Sequence, residues 1–298
     1  MKLMITGHEG FVGSVLRTEF NSVGLTNASG ASIDLHDLES VVAAIEHHQP
    51  DAVIHLAAQT FIPSAFSDPL GTYTTNFIGT HNLLTALKKI NFSGRLLFVS
   101  TSDVYGCVSE DNLPTTEVAP LQPLNPYAVS KIAAETLCRY WVNAEHFDIV
   151  IARPFNHIGP GQNARFAIAN FSRVITEIKL GQRDNTLDVG DLEITRDFTD
   201  VRDVVSAYLC LMEHGVKGEI YNICSGIERN IRDTIYTLAE LANVRVNLKI
   251  DPARFRQADS RRACGSSKKL REHTGWAPKV PWHTSLNDTL IHWEHVLQ

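Results

Sequence analysis

The chain has 298 residues, 44% of them hydrophobic, which is enough for a large core and one or two domains. Its formal net charge of −6 gives no bulk attraction to nucleic acid or anionic membranes, and no apolar run approaches the roughly 18 residues that span a bilayer. The five cysteines are scattered, the 13 histidines show no ligand spacing, and the first strand begins at once. We therefore expect free thiols, no metal site, no signal peptide and a cytoplasmic enzyme without nucleic-acid or membrane partners.

A strand, a glycine-rich turn and a helix open the chain. Residues 1–6 are mainly apolar, which predicts a buried parallel strand, and an amphipathic helix is predicted over about 14–20. Glycines in the turn between them would let the backbone approach a pyrophosphate, and the helix N-terminus would supply N–H groups to it. The predicted cofactor-binding residues of this unit are Gly7, Gly10, Phe11, Val12 and Gly13.

Strands and helices then alternate through the first half. Further helices are predicted over about 40–46, 72–89 and 126–144, and further strands over 52–56, 95–100 and 149–152. This alternation predicts an α/β fold with a doubly wound parallel sheet of the Rossmann type, and places a cofactor at the carboxyl ends of the strands. The second half is less regular. We predict a dinucleotide-binding domain over 1–157, to which part of about 197–215 returns, and a smaller α/β substrate-binding domain over 158–298.

A tyrosine and a lysine stand four residues apart at the start of the helix predicted over 126–144. Asn125 can cap this helix, and Pro126 suits its first position. Residues i and i+4 share a helix face, so Tyr127 and Lys131 can approach one ligand. The lysine charge and the helix dipole favour phenolate, which predicts a Tyr127 pKa lowered towards working pH, as proton exchange with an alcohol or ketone requires. The spacing alone is also typical of an ordinary surface helix.

Five motifs, in order, resemble those of extended short-chain dehydrogenases/reductases that act on nucleotide sugars. They are the glycine turn, His55-Leu56-Ala57-Ala58-Gln59, the segment 100–106, Tyr127-x-x-x-Lys131 and Arg153-Pro154-Phe155-Asn156. Within that family, the segments 153–162, 196–203, 221–226, 251–254 and 274–278 look most similar to GDP-4-keto-6-deoxy-mannose reductases. GDP-mannose 4,6-dehydratases share several of these segments. The resemblance covers essentially the whole chain.

The resemblance implies three catalytic residues. Tyr127 exchanges the proton, Thr101 hydrogen-bonds the same substrate oxygen, and Lys131 reaches the nicotinamide ribose. Runs of Ser and Thr also favour turns, which is the alternative role for Thr101. In dehydratases of the family, a glutamate two positions after the threonine removes a ring proton. Here that position holds Asp103, one methylene shorter, after Ser102, which weakens the dehydratase interpretation; a role for Asp103 in binding turn amides is equally open.

The resemblance also implies an NADP(H) or NAD(H) site. Its further contacts are Leu56, Ala57 and Ala58, together with Asp34 and Leu35 beside the adenine. An acidic residue about 20 positions beyond the first glycine normally holds the ribose 2′-hydroxyl of NAD. The segment 26–30 contains no acid and no arginine replaces it, so NADPH is favoured and NADH stays open.

The substrate side is predicted from the same resemblance. The predicted substrate-binding residues are Thr101, Ser102, Asp103, Tyr127, Asn156, Arg196, Arg256 and Asp259. Arg196 and Arg256 have the planar fork that suits a diphosphate, although either could instead form a surface ion pair. Gln257 and Ser266 depart from the family pattern in this region. A GDP-linked substrate is favoured by the subfamily resemblance alone.

These observations predict an NAD(P)H-dependent reductase of the C4 keto group of a nucleotide-linked 4-keto-6-deoxyhexose. The alternatives are a GDP-mannose 4,6-dehydratase, a nucleotide-sugar 4-epimerase, or a non-catalytic nucleotide-sugar-binding protein. The helices predicted over 72–89 and 126–144 carry more apolar surface than one sheet face needs, although both stripes could be core. We expect a homodimer with Tyr140 or Trp141 near the contact.

Overall fold

An α/β fold covers the part of the chain that the computed structural model describes, residues 2–255 and 260–298. The strands are β1 (Leu3–Thr6), β2 (Ser22–Gly24), β3 (Ala52–His55), β4 (Arg95–Val99), β5 (Asp148–Pro154), β6 (Asn156–Ile158), β7 (Thr186–Val189), β8 (Thr195–Asp200), β9 (Ile220–Ile223), β10 (Glu228–Asn230) and β11 (Asn247–Ile250). The helices are α1 (Phe11–Glu19), α2 (Leu38–His48), α3 (Ile62–Ser67), α4 (Pro69–Tyr73), α5 (Gly79–Lys89), α6 (Pro126–Ala144), α7 (Ala167–Lys179), α8 (Val201–His214), α9 (Ile231–Leu241), α10 (Lys268–Thr274) and α11 (Trp282–Leu297).

Six parallel strands form the central sheet in the order β2-β1-β3-β4-β5-β9. Every residue of β1, β3 and β9 is buried, because helices cover both faces of a parallel sheet. The strand order reverses at β1, and a crevice for a ligand opens at such a point, beyond the carboxyl ends of the strands. The predicted doubly wound parallel sheet is confirmed.

Two apolar layers sandwich this sheet. One contains Val41 of α2, Leu84 of α5 and Trp141 of α6. The other contains Leu16 of α1 and residues of α8 and α10. The helix α6 is therefore packed against one sheet face through its second half, from Ala134 to Trp141.

A smaller set of strands and helices follows in the second half. Strands β10, β8 and β6 form one sheet, and β11 and β7 pair in another. Helices α7, α9 and α11 pack on them through a separate core that includes Phe171, Ile235 and Leu286. This second core faces the cleft described below.

The helix predicted over 72–89 departs from a regular α-helix. It consists of α4, a π-helical turn at Thr74–Ile78 and α5. Single π-helical turns are frequent at functional sites. Here the turn contains Asn76, which is buried and bonded to residues of two other elements.

Trp141 corrects one expectation about the surface of α6. The sequence predicted Tyr140 or Trp141 near a subunit contact. Trp141 is only 5% exposed and packs edge-on against Phe147, with ring centroids 5.0 Å apart. Tyr140 is exposed. The two rings touch edge to face, with centroids 6.5 Å apart, but Trp141 enters the core and Tyr140 stays at the surface.

Candidate active site

A cleft of about 1440 Å³ lies between the carboxyl ends of the central strands and the second-half elements. The predicted residues that line it are Gly7, Gly10, Phe11, Val12, Gly13, Leu56, Ala57, Ala58, Thr101, Ser102, Asp103, Tyr127, Lys131, Asn156 and Arg196. The fold thus brings four separate segments of the first half to one surface. Arg256 and Asp259 lie outside the described residues.

Thr101, Tyr127 and Lys131 meet at the floor of this cleft. The side chains of Thr101 and Tyr127 hydrogen-bond each other, and all three residues are at least nine-tenths buried. The Lys131 ammonium donates to the backbone oxygen of Val99 at 2.7 Å and lies 4.9 Å from the centre of the Phe98 ring. Two hydroxyls and a cation are therefore held together where β4 ends and α6 begins.

Local bonds fix the first turn of α6. The Asn125 side chain accepts from the Ala128 amide at 2.8 Å, which confirms the predicted cap. The Ser130 hydroxyl donates to the Tyr127 backbone oxygen at 2.6 Å and accepts from the Asn76 amide at 2.8 Å. The π-helical turn that holds Asn76 therefore supports the helix turn that carries Tyr127.

The protonation state of Tyr127 differs from the sequence prediction. Burial raises the Tyr127 pKa, the Asp103 charge raises it further, and the hydrogen bond with Thr101 only partly opposes them. A lowered pKa was predicted, so that expectation is wrong. The reason is that desolvation of a buried phenolate outweighs the favourable charges. Tyr127 therefore keeps its proton at neutral pH and can act as an acid.

The Lys131 pKa lies below that of an ordinary exposed lysine. Burial lowers its pKa from 10.5 to about 8, while the neighbouring Cys138 and Glu135 act to raise it. The ammonium still predominates at neutral pH. It therefore provides a positive charge beside the Tyr127 end of the cleft.

The glycine turn packs tightly against the segment that follows β3. Gly7 has a φ of +69°, and a Cβ there would lie 2.8 Å from the Ala57 nitrogen. A Cβ on Gly13 would lie 2.3 Å from the Gly7 oxygen. The first turn of α1 begins here, and such a turn has N–H groups without intrahelical partners. A dinucleotide pyrophosphate fits this cradle.

A buried hydrogen-bonded chain beneath the cradle was not predicted. The Thr80 hydroxyl donates to the Asn76 oxygen at 2.6 Å, so it accepts from His55 Nε2 at 2.9 Å. His55 Nδ1 then accepts from the Thr6 hydroxyl at 2.6 Å, and Thr6 accepts from the Ala57 amide at 3.1 Å. Burial and the Lys131 charge lower the His55 pKa to about 3, so the ring is neutral at pH 7. These hydrogen bonds require a neutral ring, because Nε2 donates while Nδ1 accepts.

The remaining predicted cofactor residues lie apart from the cleft. Asp34 is largely exposed and accepts from the His36 amide at 2.9 Å. Leu35 is buried beneath it, and its backbone oxygen accepts from Asn82 at 2.8 Å. Neither lines the cleft itself, and their contact with an adenine stays a prediction.

Several arginines line the second-half side of the cleft. Arg196 on β8 donates to the Thr195 oxygen at 2.7 Å. Arg165, Arg254, Arg261 and Arg262 also line this wall and were not predicted as site residues. Arg254 ends the segment 251–254 that carries part of the resemblance, whereas the other three belong to no motif. Arg262 forms an ion pair with Glu228 at 2.5 Å, which leaves it a structural role. The wall is cationic, which suits a diphosphate.

Within 2–255 and 260–298, no cluster of three or more His, Cys, Asp or Glu side chains could hold a metal ion. Nor does any helix in these ranges have the length and apolarity needed to cross a membrane.

The chain matches known proteins over nearly its full length. A family model described as GDP-mannose 4,6 dehydratase matches residues 24–289. The chain belongs to this family. The GDP-6-deoxy-D-mannose reductase of Pseudomonas aeruginosa is 46% identical over 295 residues, covering 98% of this chain and 97% of that protein. The GDP-6-deoxy-D-talose 4-dehydrogenase of Aggregatibacter actinomycetemcomitans is 31% identical, covering 91% and 90%.

Solved structures agree with these relatives. The Pseudomonas aeruginosa RMD complexed with NADPH superimposes with a TM-score of 0.93 at 44% identity, covering 99% of this chain and 100% of that one. The UDP-glucose 4-epimerase of Thermotoga maritima with UDP-glucose gives 0.90 at 26% identity and full coverage of both. The predicted membership of the extended short-chain dehydrogenases/reductases that act on nucleotide sugars is confirmed. As predicted, the chain is an NAD(P)-dependent oxidoreductase.

Proposed function

We propose that this chain reduces the C4 keto group of a nucleotide-linked 4-keto-6-deoxyhexose, with GDP-4-keto-6-deoxy-mannose as the favoured substrate. The observation that carries the proposal is the contact of a protonated Tyr127 with Thr101 at the floor of the cleft. Reduction needs a proton donor at the ketone oxygen, and a phenol with a raised pKa is protonated at neutral pH. The names of the two curated relatives support the same class of reaction.

The chemistry follows from these groups. A nicotinamide cofactor held by the glycine turn would supply the hydride to C4 and would itself be oxidised to NAD(P)⁺. Tyr127 donates its proton to the C4 oxygen, and the Thr101 hydroxyl donates a hydrogen bond to that oxygen as negative charge develops. The Lys131 ammonium offsets the phenolate that Tyr127 becomes. One hydride and one proton thereby convert the C4 carbonyl to an alcohol.

A dehydratase is the second candidate, because the matching family model is described by that activity. Asp103 stands where dehydratases of the family carry a glutamate, in the turn that begins after Thr101. The Asp103 backbone amide donates to the Thr101 hydroxyl at 3.2 Å, which fixes the backbone from which the shorter side chain extends. A carboxylate one methylene short of its proton is a poor general base. This difference favours reduction.

One experiment separates the candidates. The protein is incubated with GDP-4-keto-6-deoxy-mannose and NADPH, and the product is identified by NMR. We expect NADPH consumption and a C4 alcohol. No consumption with this or other 4-keto nucleotide sugars would remove the reductase proposal. Conversion of GDP-mannose without added reductant would establish the dehydratase.

We further propose that NADPH is preferred over NADH. The segment 26–30 contains no acidic residue to repel a 2′-phosphate. The similar structure complexed with NADPH supports this choice. The ratio of kcat/KM for the two cofactors measures it, and a ratio below one contradicts it.

A homodimer is proposed from the surface of the helices. Five exposed apolar side chains lie on α4, the π-helical turn and α6, which pack beside one another. They are Leu70, Tyr73, Ile78, Val129 and Tyr140, called here the apolar face. Leu70 is the most exposed of the five at 73%. Large exposed apolar patches, unlike single apolar side chains, often mark protein–protein contacts. A second copy that presents the same face would bury it around a two-fold axis.

Two coarser proposals complete the assignment. The residues 1–157 form the dinucleotide-binding domain and 158–298 the substrate-binding domain, with part of about 197–215 returning to the first. Packing of α8 against α1, β4 and β5 supports that return. The compartment is proposed to be the cytoplasm, since all five cysteines are free thiols.

A further inference from the structure

A buried hydrogen-bonded chain runs beneath the turn that follows Thr101. Tyr105 ends this 3₁₀ turn, Ser102–Tyr105. Its phenol donates to Asn222 at 2.6 Å and accepts from Arg153 Nη1 at 3.0 Å. Arg153 in turn donates two hydrogen bonds to the Glu135 carboxylate, from Nε at 2.9 Å and from Nη2 at 2.6 Å. We call Tyr105, Arg153 and Glu135 the clamp.

The clamp joins the two segments that carry the catalytic hydroxyls. Tyr105 lies four residues after Thr101, at the other end of the same turn. Glu135 lies on α6, four residues after Lys131 and eight after Tyr127, so the three share a helix face. Arg153 on β5 bridges them, and its guanidinium also stacks 5.0 Å from the centre of the Tyr105 ring.

Stability alone does not account for this arrangement. The Arg153 and Glu135 side chains are only 3% and 4% exposed. Taking both charges out of water costs about as much as their attraction returns, and apolar replacements of such pairs are often as stable. The planar fork of arginine does, however, fix both distance and direction. The proton transfer described above uses none of these three side chains.

We propose that the clamp residues are positioning residues, which set the separation of the Thr101 and Tyr127 hydroxyls so that both reach the C4 oxygen. This inference rests on the proposed function. Catalytic groups must be held within about 0.5 Å of the productive geometry, and a 1 Å displacement can cost ~100-fold in rate. In the described part of the chain, the turn after Thr101 meets α6 through the clamp, through the contact of Thr101 with Tyr127, and through Ile132, which packs against the cluster that holds Val104 and Tyr105. Of these links, the clamp is a hydrogen-bonded one that does not itself involve a catalytic hydroxyl.

The test begins with Tyr105→Phe, which removes one oxygen and leaves the Arg153 and Glu135 bonds in place. We expect kcat for keto-sugar reduction to fall about 10-fold while KM changes less than about 2-fold. The matched control is Tyr221→Phe. Tyr221 is also fully buried, and its phenol bonds Val216 and His273 away from the cleft. The control should lose stability without this loss of kcat.

A double-mutant cycle then separates positioning from general support of the fold. If Tyr105 acts through Thr101, Tyr105→Phe should cause no further loss in a Thr101→Ala background. The inference is overturned if Tyr105→Phe lowers kcat by the same factor in both backgrounds, or if the single variant loses no activity. If thermal melting shows that Tyr105→Phe does not fold, Glu135→Gln enters the same cycle with the same expectation. If the wild-type protein consumes no NADPH, both the proposed function and this inference are wrong. If the wild type turns over but the two substitutions lower kcat independently, this inference alone is wrong.

Discussion

Tyr127 combines two properties that determine the protonation state of its phenol. It is buried, and it lies near the negative charge of Asp103, so both effects keep the phenol protonated. A protonated phenol is ready to donate to a forming alkoxide. The residue is therefore a proton donor at neutral pH, as the proposed reduction requires.

Tyr127→Phe removes the proton donor and retains the ring. We expect kcat to fall by about 10²–10⁴-fold, the usual contribution of general acid catalysis. NADPH binding, followed by fluorescence titration, and the melting temperature should stay near wild type. A variant that retains the wild-type rate would show that another group supplies the proton.

Asp103→Asn tests the charge beside Tyr127 and the choice between the two reactions. Loss of the negative charge should lower the Tyr127 pKa, because Asp103 is one of the two causes that raise it. At pH 7 the rate of keto-sugar reduction should fall by less than about 10-fold, because Asp103 has no proton to remove. If wild type dehydrates GDP-mannose and the folded variant does not, the reductase assignment is wrong.

At the scale of elements, His55 connects three of them. Its ring bonds Thr6 on β1 and Thr80 on α5, and it stands at the end of β3. The Ala57 amide bonds the same Thr6 hydroxyl, which fixes the backbone that packs against Gly7. The geometry of the cofactor cradle therefore depends on a neutral histidine below it.

His55→Gln should reduce the pH dependence of stability. The folded-state pKa of about 3 lies below the ordinary value of 6.5, so between these values the unfolded chain binds a proton that the native state does not. The stability that His55 contributes is thus complete at pH 7 and is lost as the pH falls. Relative to the variant, wild type should lose roughly 2 kcal/mol of unfolding free energy between pH 7 and pH 5. Urea denaturation at both pH values measures this, and parallel changes in the two proteins would contradict it.

At the scale of the whole molecule, the apolar face is a group of exposed apolar side chains on neighbouring helices that the fold leaves uncovered. The inner sides of α5 and α6 are fully used by the core, where Leu84 and Trp141 lie. Leu70 and Tyr140 remain outside. A two-fold contact would bury this surface without any change in the subunit.

We expect wild type to show a dimer mass in light scattering, about twice the 33.1 kDa of the chain. The pair Leu70→Glu and Tyr140→Ser should give monomers, because a buried unpaired carboxylate strongly disfavours association. Tyr236→Ser on α9 is the matched control, since Tyr236 is 48% exposed but lies outside the apolar face. A wild-type monomer at micromolar concentration, or a dimer that survives the pair, would refute this interface.

Local patterns in the sequence were sufficient for the fold class and much of the cleft. The helix predicted over 126–144 has those bounds in the structure. Its start is determined locally, because Asn125 caps it and Pro126 occupies its first position. The glycine turn and Thr101, Tyr127 and Lys131 line one cleft, and their roles in it stay predictions. In each case the determining interaction lies within a few residues, or follows from the convergence of parallel strand ends at one edge.

Tertiary structure alone decided the features that depend on residues far apart in the chain. The pKa of Tyr127 is set by burial, which no local pattern measures. Trp141 and Tyr140 are neighbours, yet packing against Phe147 makes one core and leaves the other at the surface. Arg153 meets a partner 18 residues earlier in the chain and another 48 earlier. The sequence by itself determined which elements form and which chemistry they carry, whereas desolvation and long-range contacts, which exist only in the folded chain, decided how that chemistry is tuned.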